Sequence, residues 1–97
     1  MKKYKVLFSP LALVDIEQAI IYYNNQQIGL GKKFASQVQL ALTAIKRNPF
    51  FSSIRYGNVR CAQVPKFPFL VHYQIEETSN IVTIAAVYST YQKPMWD

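Results

Sequence analysis

Pro10 and Pro49 bracket the one long stretch of this 97-residue chain in which apolar residues recur at helical spacing. Proline lacks an N–H and pushes the residue before it out of the helical region, so it suits the start of a helix and ends one elsewhere. Ser9-Pro10 reads as a start: the serine hydroxyl can cap free N–H groups and the proline fits the first turn. Ala12, Ile16, Ala19, Ile20 and Tyr23 then form one stripe, which predicts a first helix to about Asn25. Asp15 and Glu17 fall near its positive end, where a carboxylate is slightly favoured. Gly29-Leu30-Gly31 interrupts the pattern and predicts a tight turn. Phe34, Val38, Ala41, Leu42 and Ile45 resume it until Asn48-Pro49. The result is a hairpin of two helices joined by a short loop.

Strand patterns flank the hairpin. Tyr4 to Phe8 precedes it as a short first strand, and Val59 to Val64 is a candidate second. Phe69, Val71, Tyr73 and Ile75 alternate with Leu70, His72 and Gln74, which marks a half-buried third strand. Glu76-Glu77-Thr78-Ser79-Asn80 is its turn, and the β-branched run Ile81 to Tyr88 suits a central fourth strand. A polar and aromatic tail runs from Ser89 to Asp97. The order β-α-α-β-β-β predicts α+β architecture, a helix hairpin packed on a small antiparallel sheet. A chain of this length has one core, so residues 1–97 form a single domain.

Charge narrows the partners. Five acidic residues face eleven basic ones, and none of the five lies between Glu17 and Glu76. Lys32, Lys33, Lys46, Arg47, Arg55, Arg60 and Lys66 all fall in that gap. One-signed charge over half the chain predicts a surface that attracts nucleic acid or an acidic protein. No apolar run approaches the roughly 18 residues of a membrane span. The basic start Met1-Lys2-Lys3-Tyr4-Lys5 is followed by too short an apolar run for a signal peptide. With a single cysteine, Cys61, the expectation is a cytoplasmic protein.

Several chemistries drop out on residue supply. One histidine and one cysteine do not make a zinc site, and no Ser/His/Asp set can be assembled. His72 sits in mid-strand, where a partly buried polar role is the simpler reading. The carboxylates lie apart or form the turn pair Glu76-Glu77, so neither a metal nor any other cofactor is expected. What remains is cationic and aromatic. Arg55, Tyr56, Arg60 and Lys66 lead into the third strand, while Tyr88, Tyr91, Lys93 and Trp96 follow the fourth. Antiparallel strands are expected to bring the groups to one end or face of the sheet. Such a mixture suits RNA, with cations on phosphates and rings on unpaired bases. Arg60, Lys66, Tyr88, Tyr91 and Lys93 are therefore the candidate catalytic residues, and Arg55, Arg60, Lys66, Tyr91 and Trp96 the candidate partner-binding ones. Tyr88, Tyr91 and Trp96 fit a core role equally well.

Taken in order, these pieces resemble the RelE/ParE superfamily of toxins from type II toxin–antitoxin modules. Ser9-Pro10-Leu11-Ala12-Leu13-Val14-Asp15-Ile16 with Ile20 and Tyr23 is similar to the first-helix signature of ParE-like members. Gly31, Phe34 and Asn48-Pro49 fit the second helix. Arg60 followed by Phe67-Pro68-Phe69-Leu70-Val71-His72-Tyr73 resembles the family's arginine, Phe-Pro-Tyr and strand. Ile81 to Val87, then Thr90, Pro94 and Trp96, resembles the closing strand and Pro-x-Trp tail. The resemblance implies the toxin of a plasmid-stabilisation or addiction module that arrests growth. It also implies an acidic, partly disordered antitoxin that folds on binding, and a homodimer as one assembly. For the target it implies DNA gyrase, as in ParE-like members, or messenger RNA on the ribosome, as in RelE-like ribonucleases. Against the ribonuclease pattern, Cys61 and Gln63 stand on the second strand and Leu70 on the third where that branch carries lysines and an arginine. Ser89 and Gln92 stand where many relatives have histidine and arginine. The ParE-like reading, with no RNA chemistry, is therefore preferred to a ribonuclease and to a homologue that has lost toxicity and serves only as a binding module.

Overall fold

Ser9 caps the first helix as its sequence position predicts, with Oγ accepting the Ala12 N–H at 3.1 Å. The structure is a computed structural model that describes residues 3–90, so Tyr91, Lys93 and Trp96 lie outside the described residues. Its elements are β1 (Lys5–Phe8), α1 (Pro10–Gln26), α2 (Leu30–Arg47), β2 (Ile54–Tyr56), β3 (Val59–Gln63), β4 (Phe69–Glu76) and β5 (Ile81–Ser89). The helix hairpin and the four expected strands are present. A three-residue strand, β2, is added at the edge. The five strands form one sheet in the order β1-β5-β4-β3-β2. From β2 to β5 every pairing is antiparallel, but β1 lies parallel to β5, so the sheet is mixed. A parallel neighbour needs a long crossover, and the helix hairpin is part of it.

The helices cover one face of the sheet. Ala12 and Ala19 of α1 and Phe34, Val38, Ala41 and Ile45 of α2 are buried there against Val71, Tyr73, Val82, Ile84 and Val87. The stripes expected from spacing are thus the ones in the core. Phe34, with no exposure, lies at the centre of an aromatic group, its ring centroid 5.3 Å from Tyr23, 5.2 Å from Phe67 and 4.8 Å from Phe69.

The turn between the helices differs from the expectation in one respect. Gln27 ends α1, and Gly29 caps α2 in the left-handed region, φ 88°, as a glycine there allows. Gly31, by contrast, already belongs to α2 and is buried. It is the point where α2 presses on α1: its N–H donates to Asn24 Oδ1 at 2.9 Å. A Cβ at Gly31 would stand 2.5 Å from the Ile20 carbonyl oxygen.

Asp15 also differs from its expected role. Neither it nor Glu17 falls in the first turn of α1. β1 ends opposite Ile84, so β5 loses its strand neighbour on that side from Ala85 onward. Just there β5 carries a bulge: His72 pairs with Ala86 but Tyr73 with Ile84, leaving Ala85 extra. Side chains of α1 and its cap take the groups left over. Ser9 Oγ donates to the Ala85 carbonyl at 2.8 Å, and Asp15 Oδ2 accepts the Val87 N–H at 2.9 Å. Removing that acceptor orphans a part-buried donor. Asp15→Ala should lower stability by about 1–2 kcal/mol, while Asp15→Asn, which keeps an oxygen in place, should lower it less. Urea unfolding of the two variants checks the order.

Candidate functional site

On β4, side chains of Phe69, Val71, Tyr73 and Ile75 turn toward the helices, which places Leu70, His72 and Gln74 on the opposite, distal face. Register extends that face to the neighbours. Cys61 pairs with His72 and Gln63 with Leu70, while Tyr88 pairs with Leu70 and Ala86 with His72. At its centre His72 is 5% exposed, between the rings of Tyr56 (centroids 5.9 Å apart) and Tyr88 (5.3 Å, edge-on). His72 Nδ1 lies 2.9 Å from Tyr56 Oη and 3.3 Å from Cys61 Sγ. β2 matters here because it carries Tyr56 over the face.

The environment keeps this group uncharged. Burial pushes the His72 imidazole below its ordinary value of 6.5, and the nearby Arg55 guanidinium pushes the same way. The Tyr56 phenol is pushed up to about 12, by burial first and then by Cys61 and Tyr88. Burial also raises the Cys61 thiol, against a smaller lowering by Arg55. Tyr88 is raised by burial and by the charge of Asp15. Near pH 7 the cluster is a neutral imidazole, two phenols and a thiol. It can relay a hydrogen bond and offer ring faces. It has little charge with which to hold a pentavalent phosphate.

A pH dependence follows from the His72 direction. A folded-state value below 6.5 means that the proton prefers the unfolded chain. The neutral ring's contribution to stability is therefore full above about 6.5 and is lost as pH falls through the folded-state value. Asp15 has the opposite sign, since burial raises it above 3.8 despite the Val87 hydrogen bond. His72→Gln should flatten the loss of stability below pH 6.5. Thermal melts of both proteins across pH 5–7.5 check this, and parallel profiles would contradict it.

The candidate residues read from the sequence do not all meet. Arg60 pairs with Tyr73 and so points to the helix side. Its Nη1 donates to the Ser52 carbonyl and its guanidinium lies 5.1 Å from the Phe50 ring centroid. Tyr73 Oη supports the same loop, donating to the Pro49 carbonyl at 2.7 Å and lying 2.6 Å from Ser52 Oγ. Arg60 thus clamps the segment between α2 and β2, on the other face from Tyr88. Lys66 is exposed in the turn after β3 with φ 68°. It shares one end of the sheet with Tyr88, because Ser89 pairs with Phe69 and Thr90 N–H donates to the Pro68 carbonyl at 2.7 Å. Arg55 is exposed on the edge strand β2, close enough to act on His72 and Cys61. Tyr91, Lys93 and Trp96 fall outside the described residues.

No family profile matches the chain, and no curated protein sequence does. Solved structures do. The chain superposes on the chromosomal ParDE TA system of P. aeruginosa with a TM-score of 0.78 at 10% identity, over 90% of this chain and 96% of that one. For the intact E. coli RelBE toxin–antitoxin complex the TM-score is 0.71 at 15% identity, over 92% and 99%. The chain has the RelE/ParE toxin fold. The YoeB dimer of Staphylococcus aureus shares it at a TM-score of 0.61 and 19% identity, over 93% of this chain and all of that one. Cys61, Gln63 and Leu70, which the sequence sets apart from the ribonuclease pattern, all belong to the distal face. Sequence reading named them only as departures. The sequence places Tyr56 in the cationic and aromatic group and His72 as a mid-strand polar residue, but only the β3–β4 register and the added strand bring the two together.

Proposed function

We propose that this protein is the toxin of a type II toxin–antitoxin pair, ParE-like, arresting growth by binding DNA gyrase and not by cutting RNA. The observation that carries this reading is the character of the distal face. Tyr56, Cys61, Gln63, Leu70, His72 and Tyr88 occupy it, and Arg60 is engaged on the other side. A metal-free ribonuclease depends on preorganised cations around the phosphate, and removing one such group costs on the order of 10²–10³ in rate. Among the described residues, a face of rings, amide and thiol with the exposed Arg55 beside it suits protein contact better.

The partner surfaces fit the same reading. Lys32, Lys33, Lys46 and Arg47 are exposed along α2, and Arg55 is exposed on β2. An acidic antitoxin would be steered to them. Leu11, Val14 and Ile21 stand exposed on α1, and Phe50, Phe51 and Ile54 beside the sheet edge. Apolar side chains grouped in this way mark surfaces that a folding-on-binding partner covers. Among the described residues no helix is long and apolar enough to cross a membrane.

Induced production of the protein should halt growth with messenger RNA intact, and a short acidic partner encoded beside it should relieve the arrest. Northern blots of abundant transcripts during the arrest provide the check. Cleavage within coding regions, abolished by Tyr88→Ala, would replace this reading by the ribonuclease one.

A further inference from the structure

On the other side of Tyr88 from the histidine cluster, α1 and the ends of β4 and β5 enclose a groove of about 600 Å³. Asp15, Gln18, Tyr22 and Gln26 form one wall, successive positions on a single line of α1. Tyr23 and Phe69 supply ring surface within, and Tyr88 closes the sheet side. Among the described residues Asp15 is the one acidic group that lines the groove, in a chain of net charge +6. One of its oxygens accepts the Val87 N–H. A carboxylate accepts up to about four hydrogen bonds, so capacity remains at the wall.

The rings around it are steeply inclined to one another. Tyr22 meets Tyr23 at 75° with centroids 5.2 Å apart, and Tyr23 meets Phe69 at 61° and 6.0 Å. A groove built this way offers both ring faces and ring edges. A carboxylate beside aromatic faces is complementary to one side-chain type in particular. A guanidinium hydrogen-bonds the carboxylate in its own plane and stacks flat on a ring. An apolar occupant would bury the Asp15 charge without a counter-charge, and an acidic one would be repelled.

We propose that this groove receives an arginine side chain presented by a protein partner, with Asp15 taking the guanidinium and Tyr22 stacking on it. On a molecule of net positive charge, this groove favours a partner's basic residue. It would set the register of a partner that is acidic elsewhere. The inference does not depend on the gyrase reading, because the site is defined by its own residues and tested on the toxin alone.

The test titrates ¹⁵N-labelled protein with N-acetyl-arginine amide and, separately, with the citrulline analogue, which has the same shape and no charge. The arginine compound should shift the amides of Tyr22, Val87 and Tyr88 saturably, and citrulline should bind about tenfold more weakly. Asp15→Asn, which still accepts the Val87 N–H, should erase the preference for arginine. Tyr22→Ala removes a side chain that is 57% exposed, so the fold should survive it, and should weaken arginine binding. Equal binding of both compounds, no saturable shift, or an arginine preference that persists in Asp15→Asn would each overturn the proposal.

Discussion

Phe34→Ala should cost about 3–5 kcal/mol, the largest loss expected of a single substitution in this chain. Phe34 has no exposed surface and touches three other rings from α1 and the β3–β4 turn region. Removing it deletes the transfer free energy of a whole ring. It also leaves a void that Tyr23, Phe67 and Phe69 can only partly fill, since they are held by different elements. Aromatic contacts in such groups add about 0.5–1.5 kcal/mol beyond buried area. For a domain of this size each kcal/mol moves the melting temperature by roughly 4–8 °C. The melting temperature should therefore fall by more than about 12 °C, and a fall under about 4 °C would show the cluster to be peripheral.

Gly31→Ala should follow, at about 3 kcal/mol, near the upper end of the range for overpacking. In an isolated helix the same change is favourable, because alanine is the better helix former. Here the new methyl would meet a backbone oxygen, Ile20 O, at 2.5 Å, which only a shift of one helix can relieve. The shift would also stretch the Gly31–Asn24 hydrogen bond. Gly29→Ala is the control. It meets nothing within 4 Å but must hold φ 88°, so its cost is backbone strain alone, about 1–2 kcal/mol. Denaturant unfolding should rank Gly31→Ala below Gly29→Ala, and the reverse order would contradict the close approach of the helices.

Local rules carried a good part of this fold. Ser9-Pro10 and Asn48-Pro49 announce a helix start and stop because proline's constraints act within a residue or two. The alternation Phe69 to Ile75 reveals a strand because one face is buried. What escaped depends on distant partners. β2 is three residues long and follows Phe51-Ser52-Ser53, with no alternation to betray it. The parallel seat of β1 beside β5 is decided across the whole chain. Asp15 near a helix start suggests a dipole role, yet the vacancy it fills is created by where β1 stops.

The candidate site suffered most from this dependence. Arg60 and Cys61 are adjacent, so strand parity sends one to Ser52 and Phe50 and the other to His72. Residue type favoured Arg60 as a catalytic cation, whereas register makes it a clamp on the loop after α2. A lone mid-strand histidine reads as a partly buried polar residue, and His72 is buried. Its partners, Tyr56 and Cys61, come from two other strands. A face assembled across β2, β3, β4 and β5 has no contiguous signature.

The most direct measurement is gyrase supercoiling of relaxed plasmid DNA in the presence of the purified protein, alongside a ribosome-programmed messenger RNA from the same preparation. A distal face with so little positive charge among the described residues predicts progressive loss of supercoiling as the protein is added, with the messenger left whole. Normal supercoiling at large excess of the protein, together with a cut messenger, would contradict it.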